Sequence, residues 1–202
     1  EGLQERMAQD GYLFLPGLLD RSQVMDARKE VLRRLASQGI VDDVDHELMD
    51  GIVREDASVS FAPDLARDNA ELTRVVYDGP MMDFYERFLG GPVRHFDYTW
   101  FRAKTPGTTT ATQPHYDVVY MGRGTKNLWT SWTPLGDVPL DSGGLIVLEG
   151  SHKNEALRDG YGTTDVDKFC ANENEAAVTV GRAQDEGREL TSQERQTIHW
   201  QG

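Results

Sequence analysis

The chain has 202 residues, of which 38% are hydrophobic, and its length suffices to bury the core of one domain. A formal charge of −13 sets up a field that repels phosphate backbones, which argues against nucleic acid as a partner and is otherwise the mark of a soluble surface. No apolar run approaches the roughly 20 residues of a membrane span, no charged-then-apolar leader opens the chain, and the single cysteine, Cys170, cannot form an internal disulfide, so a cytoplasmic protein is expected. The chain does not begin with Met, from which its natural start is expected to lie upstream.

Residues 11–17, Gly-Tyr-Leu-Phe-Leu-Pro-Gly, read as a short buried strand closed by a Pro-Gly turn. Asp20 offers a helix N-cap with Gln23 at capping-box spacing. Val24, Ala27, Val31 and Leu35 follow at helical spacing, and Gly39 supplies the stop. Residues 40–61 interleave Asp42, Asp43, Asp45, Glu47 and Asp50 with apolar positions and His46. A calcium loop would need glycine sixth and glutamate twelfth, which this stretch lacks, so it reads as a solvated acidic loop or short helix. Residues 64–77 carry Leu65, Leu72, Val75 and Val76 in a helical pattern, and Gly79-Pro80 starts another helix running to Gly90. From Val93 the period becomes two, with Phe96, Tyr98, Trp100 and Arg102 alternating against His95, Asp97, Thr99 and Phe101. Residues 105–112 form a Thr-rich loop. Helices followed by short strands argue for an α+β domain whose sheets make a sandwich or barrel.

His115 and Asp117 stand two apart, and alternate residues of an extended strand share a face, so imidazole and carboxylate would point at one spot. A neutral imidazole and a hard carboxylate, joined by a second His, make the face that holds non-haem Fe(II) with three positions open. The pair by itself also fits two solvated residues on a polar strand. Around it lie an apolar run at 118–121 expected as strand, a Gly-Arg-Gly turn at 122–124, Trp129 and Trp132, an Asp-Ser-Gly-Gly turn at 141–144, the apolar run 145–148, and Gly-Ser-His-Lys at 150–153. Beyond it, 156–174 read as polar loop, 176–180 as a strand and 181–196 as charged and helix-prone.

The ordered set resembles the phytanoyl-CoA dioxygenase family of Fe(II)/2-oxoglutarate oxygenases. It comprises His115-x-Asp117, the Trp-Thr-Pro-Leu at 132–135, the small-residue turn before an apolar strand, Gly-Ser-His-Lys at its end, and Lys-Thr-Pro-Gly at 104–107. The resemblance implies one oxygenase domain over 1–202: a double-stranded β-helix, that is, a jelly-roll-like, cupin-type barrel, with N-terminal helices packed on one face. It implies Fe(II) on His115, Asp117 and a second His, with 2-oxoglutarate and O2 as cosubstrates, succinate and carbon dioxide as coproducts, and hydroxylation of a small-molecule substrate. An Asp at 117 favours hydroxylation, since relatives that halogenate have a small residue there. Trp132 and Trp100 fall where family members contact 2-oxoglutarate, and Lys104 is a further cofactor-binding candidate. For Trp100 a place in the barrel core fits equally well, and a Lys at a strand end is most often solvated.

The family's second His and 2-oxoglutarate-gripping Arg have no counterpart in pattern here. His152 sits in a turn whose His is not a ligand in the family, and His199 is the competing candidate. A C-terminal portion with further strands is therefore expected beyond residue 202. The rival readings are an inactive barrel and a small-ligand-binding module, from which iron-dependent turnover separates an enzyme. Substrate identity and oligomeric state are not encoded in any of these motifs.

Overall fold

The computed structural model describes residues 2–107, 112–122, 124–125, 127–164, 186–189 and 191. They belong to two compact units, one made of residues 1–112 and 132–149, the other of 113–131 and 150–202. Cys170, the strand expected at 176–180, most of the segment 181–196, and His199 lie outside the described residues.

The first unit is helical. Helix α1 spans Gly2–Asp10, α2 Arg21–Ser37, α3 Ala70–Val76 and α4 Gly79–Leu89. Asp20 caps α2 as its spacing predicts, its carboxylate accepting the Gln23 N–H at 3.0 Å. Ala27, Val31, Leu32 and Leu35 form the buried stripe of α2, at the i, i+4, i+5, i+8 positions of one face. Val31, Leu32 and Leu35 pack with Val41 and Leu65, while Ala27 packs with Leu72 and Val75 of α3. Arg34, on the flank of the stripe, donates to the carbonyls of Arg67 at 2.6 Å and Asp68 at 2.8 Å, fixing the turn before α3. Asn69 then caps α3. The α1 helix is tied down where Gln4 donates to the Phe88 carbonyl at 2.7 Å.

Among the described residues three stretches of this unit expected as strand are irregular, one of them the apolar run 145–148, where Ile146 is 92% exposed. Residues 11–17 lie in irregular backbone with Phe14 79% exposed, so the segment is not the buried strand its apolar run suggests. Among the described residues, 93–101 have no ladder partner. His95 stacks on Tyr77 with ring centroids 4.0 Å apart, and the Tyr77 hydroxyl meets the Thr99 hydroxyl at 2.7 Å. Among the described residues no sheet is present, only isolated antiparallel bridges at Val41↔Val53 and Phe61↔Arg102. The acidic stretch 40–61 holds one of these bridges and a 3-10 turn at Leu48–Asp50, in keeping with a surface loop. Among the described residues no helix is long and apolar enough to cross a membrane.

The second unit holds α5, Asp117–Met121, a 3-10 turn at Ser151–Lys153, α6, Glu155–Asp159, and a 3-10 turn at Tyr161–Thr163. The apolar run at 118–121, expected as strand, is thus a short helix. A four-residue apolar run cannot be assigned by periodicity, and the local bond from the Val119 N–H to the Tyr116 carbonyl at 3.0 Å closes the turn. Val119 is its buried anchor, at 2% exposure. Asn154 caps α6, accepting the Leu157 N–H at 3.0 Å.

Candidate metal centre

His115 precedes α5 in irregular backbone and Asp117 is the first residue of α5, with Tyr116 in β conformation between them at φ −102, ψ 128. The two side chains therefore converge although they do not share a strand. His115 Nδ1 lies 2.7 Å from the Gln113 carbonyl oxygen. A carbonyl can only accept, so Nδ1 carries a proton, and Nε2 is the nitrogen turned toward Asp117. That nitrogen lies 3.3 Å from Asp117 Oδ1. Tyr120, one turn along α5, sets its ring edge-on to the imidazole with centroids 5.2 Å apart, limiting how the ring can turn.

The Asp117 carboxyl is held below the usual carboxylate range, first by its hydrogen bond with His115, with the Thr130 hydroxyl adding to the effect and burial opposing it. At this distance Nε2 and the carboxylate oxygen share a cation, which is a proton on the ring or, when bound, a metal. The donor set suits Fe(II), being one imidazole nitrogen and one hard oxygen. The spacing suits it too: donors at first-row bond lengths of about 2.1 Å stand about 3.0 Å apart across an octahedral edge and about 3.4 Å across a tetrahedral one. A His whose far nitrogen is fixed by a backbone carbonyl is the usual outer support of a metal ligand.

Among the described residues no group of three or more His, Cys, Asp or Glu side chains converges to hold a metal. His152, in the turn Ser151–Lys153, does not complete such a group.

The other site candidates belong to the first unit. Trp100 is 47% exposed and packs edge-on against Tyr98 at 4.8 Å and Phe96 at 6.2 Å between centroids. Trp132 is half exposed. Lys104 is exposed, its Nζ reaching the Gly143 carbonyl at 3.5 Å. Sequence reasoning missed Tyr120, Thr130 and Tyr161 around the pair. Tyr120 had a signal, since it stands at i+3 from Asp117 and shares its side once 117–121 coil into a helix. Thr130 and Tyr161 had none.

The family described as phytanoyl-CoA dioxygenase (PhyH) matches residues 7–201. Among relatives, the 1-deoxypentalenic acid 11-beta-hydroxylase of Streptomyces exfoliatus is 28% identical over 160 residues, covering 76% of this chain and 54% of its own length. The protein of the same name from Streptomyces arenae is 26% identical over 160 residues, with the same two coverages, 76% and 54%. The chain thus spans about half the length of the curated relatives it matches. No solved structure matches it. With a match running through nearly all of its residues and around the His115-x-Asp117 pair, the chain belongs to the phytanoyl-CoA dioxygenase family.

Proposed function

We propose that the protein is an Fe(II)- and 2-oxoglutarate-dependent dioxygenase that hydroxylates a C–H bond of a small molecule, on a double-stranded β-helix, with succinate and carbon dioxide as coproducts. The observation that carries this reading is His115 Nε2 facing Asp117 Oδ1 at 3.3 Å, with Nδ1 already fixed by the Gln113 carbonyl. Bound there, iron with 2-oxoglutarate would supply the oxidising power that no side chain has. The protein's part is placement. His115 and Asp117 hold the metal by one neutral and one anionic donor, and Asp117 offsets one unit of its charge. Because Asp117 fills its position with a carboxylate, a halide has no vacancy to take, which favours hydroxylation. Trp132, Trp100 and Lys104 are proposed contacts for 2-oxoglutarate. The relatives are named as hydroxylases of 1-deoxypentalenic acid, so a small carboxylic acid is the substrate class to try first.

Succinate release tests the reading. Supplied with Fe(II), 2-oxoglutarate and air, the protein should form succinate, and His115→Ala should stop it. Absence of iron-dependent succinate across a panel of small acids would favour an inactive or merely ligand-binding barrel.

A further inference from the structure

We infer that Tyr116 is a positioning residue for the pair: its phenol, anchored on the Ser151 carbonyl, holds the backbone between His115 and Asp117 in the conformation that makes them converge. The Gly-Ser-His-Lys turn at 150–153 thereby gains a role, as the anchor of the metal segment. The inference rests on the function proposed above and adds to it a residue that is not itself a donor to the metal.

His115 and Asp117 flank Tyr116, so the angle between them depends on the Tyr116 backbone, at φ −102, ψ 128. The helix that follows does little to fix that conformation. Tyr116 is the N-cap residue of α5, yet its side chain makes no capping bond, and the side chains that cap helices well are Ser, Thr, Asp and Asn. A helix of five residues is also too short to hold its own start, because nucleation costs more than a single turn returns. What steadies the start of α5 comes from outside it.

The Tyr116 hydroxyl supplies that hold. It donates to the Ser151 carbonyl, 35 residues along the chain, at 2.7 Å, and both ends of the bond lie in the second unit. The acceptor is well placed by its own turn. Gly150 enters it at φ 75, a conformation that favours glycine, the Lys153 N–H donates to the Gly150 carbonyl at 3.0 Å, and the Asn154 N–H donates to the Ser151 carbonyl at 3.0 Å. The ring is gripped as well. Tyr161 lies tilted against it with centroids 5.8 Å apart, and a Cβ on Gly162 would stand 3.3 Å from Tyr116 Cδ2 and 3.5 Å from Cε2. A side chain fixed at its tip and along its ring passes that order to its own backbone, and so to the residues on both sides. Because the Ser151 carbonyl keeps the Asn154 N–H, loss of the phenol leaves that acceptor satisfied. The loss falls on the placement of the pair.

The test is an anaerobic Fe(II) titration of the whole chain, run at a temperature where circular dichroism shows the variants folded. Tyr116→Phe keeps the ring and removes the anchor. Its iron affinity should fall about 3- to 10-fold, the drop in the competent conformation that one neutral hydrogen bond can account for. Saturating Fe(II) should restore turnover and the wild-type absorption band with 2-oxoglutarate, since no donor has been removed. Gly162→Ala reaches the same ring without altering 113–117, and its added methyl should weaken iron binding too. Tyr77→Phe removes a hydroxyl contact of the same 2.7 Å length in the helical unit and should leave iron affinity unchanged. Wild-type iron affinity in Tyr116→Phe would overturn the inference. So would an equal loss in Tyr77→Phe, which would mark a general loosening. Should Tyr116→Phe fail to fold, wild-type iron affinity in Gly162→Ala overturns the inference in its place. If wild type binds no iron, the proposed function fails and the role of Tyr116 fails with it. Wild type that binds iron while Tyr116→Phe matches it sinks Tyr116 alone.

Discussion

His115 Nε2 stands 3.3 Å from Asp117 Oδ1 across the first turn of a five-residue helix, with the opposite nitrogen of the imidazole fixed to the Gln113 carbonyl at 2.7 Å. One member of the pair precedes α5 and the other begins it, so the geometry of the pair depends on how that short helix starts and ends.

The end of α5 is set by Gly122. A Cβ at this position would lie 2.2 Å from the Val118 carbonyl oxygen, a clash with backbone that no side-chain rotation can relieve. Gly122→Ala should displace the last turn and cost about 1 to 3 kcal/mol, the usual range for overpacking. Iron affinity should fall with it, because Asp117 is on the same helix. Calorimetric unfolding and an anaerobic iron titration check both effects, and wild-type values in each would show that α5 does not set the pair.

Asn69 is the most heavily used buried polar residue of the helical unit. At 1% exposure its Oδ1 accepts the Leu72 N–H at 3.0 Å and its Nδ2 donates to the Leu65 carbonyl at 3.0 Å. Asn69→Ala removes a cap and the shorter of two bonds to the Leu65 carbonyl, which Arg34 Nη1 also reaches at 3.4 Å, and should cost about 1 to 2 kcal/mol in urea unfolding. Asn69→Ser keeps a capping acceptor and should cost less. Equal losses for the two would contradict this division of roles.

Glu30 gives the unit an acid dependence. Arg33 Nε donates to it at 2.8 Å, Arg33 Nη2 at 2.8 Å and Arg34 Nε at 2.8 Å, and these bonds hold its carboxyl down from 4.5 to about 2. A depressed carboxyl stabilises the fold above its unfolded value and loses that contribution as pH falls through the folded one. Glu30→Gln should therefore destabilise by about 1 kcal/mol at neutral pH, a figure that allows for solvent screening of a partly exposed network. The difference should shrink below pH 4.5 and vanish near pH 2, the span of the shift. A pH-independent difference in unfolding midpoint would exclude this origin.

Where local chemistry decides the outcome, the chain was legible. The α2 helix follows from Asp20, Gln23 and the apolar spacing of Ala27, Val31 and Leu35, because cap and stripe act within a few residues of each other. The helix from Gly79 follows from Pro80 at its first turn and ends at Gly90, which adopts φ 77. Short apolar runs were not legible. Residues 118–121 form a helix and Phe14 faces outward, since four or five apolar residues fit a strand, a buried turn or an exposed linker equally, and only their surroundings choose. The pairing of His115 with Asp117 was legible from their spacing, although it arises at a helix start and not along a strand.

The most direct measurement is an anaerobic titration of the purified protein with Fe(II) and 2-oxoglutarate, followed by visible absorption and repeated on His115→Ala and Asp117→Ala. Each substitution removes one donor of the pair. Wild type should develop a charge-transfer band that needs both additions and saturates at one iron per chain, and both variants should lose it. A band that persists in His115→Ala, or wild-type and variant spectra that coincide, would contradict the assignment of His115 and Asp117 to the metal.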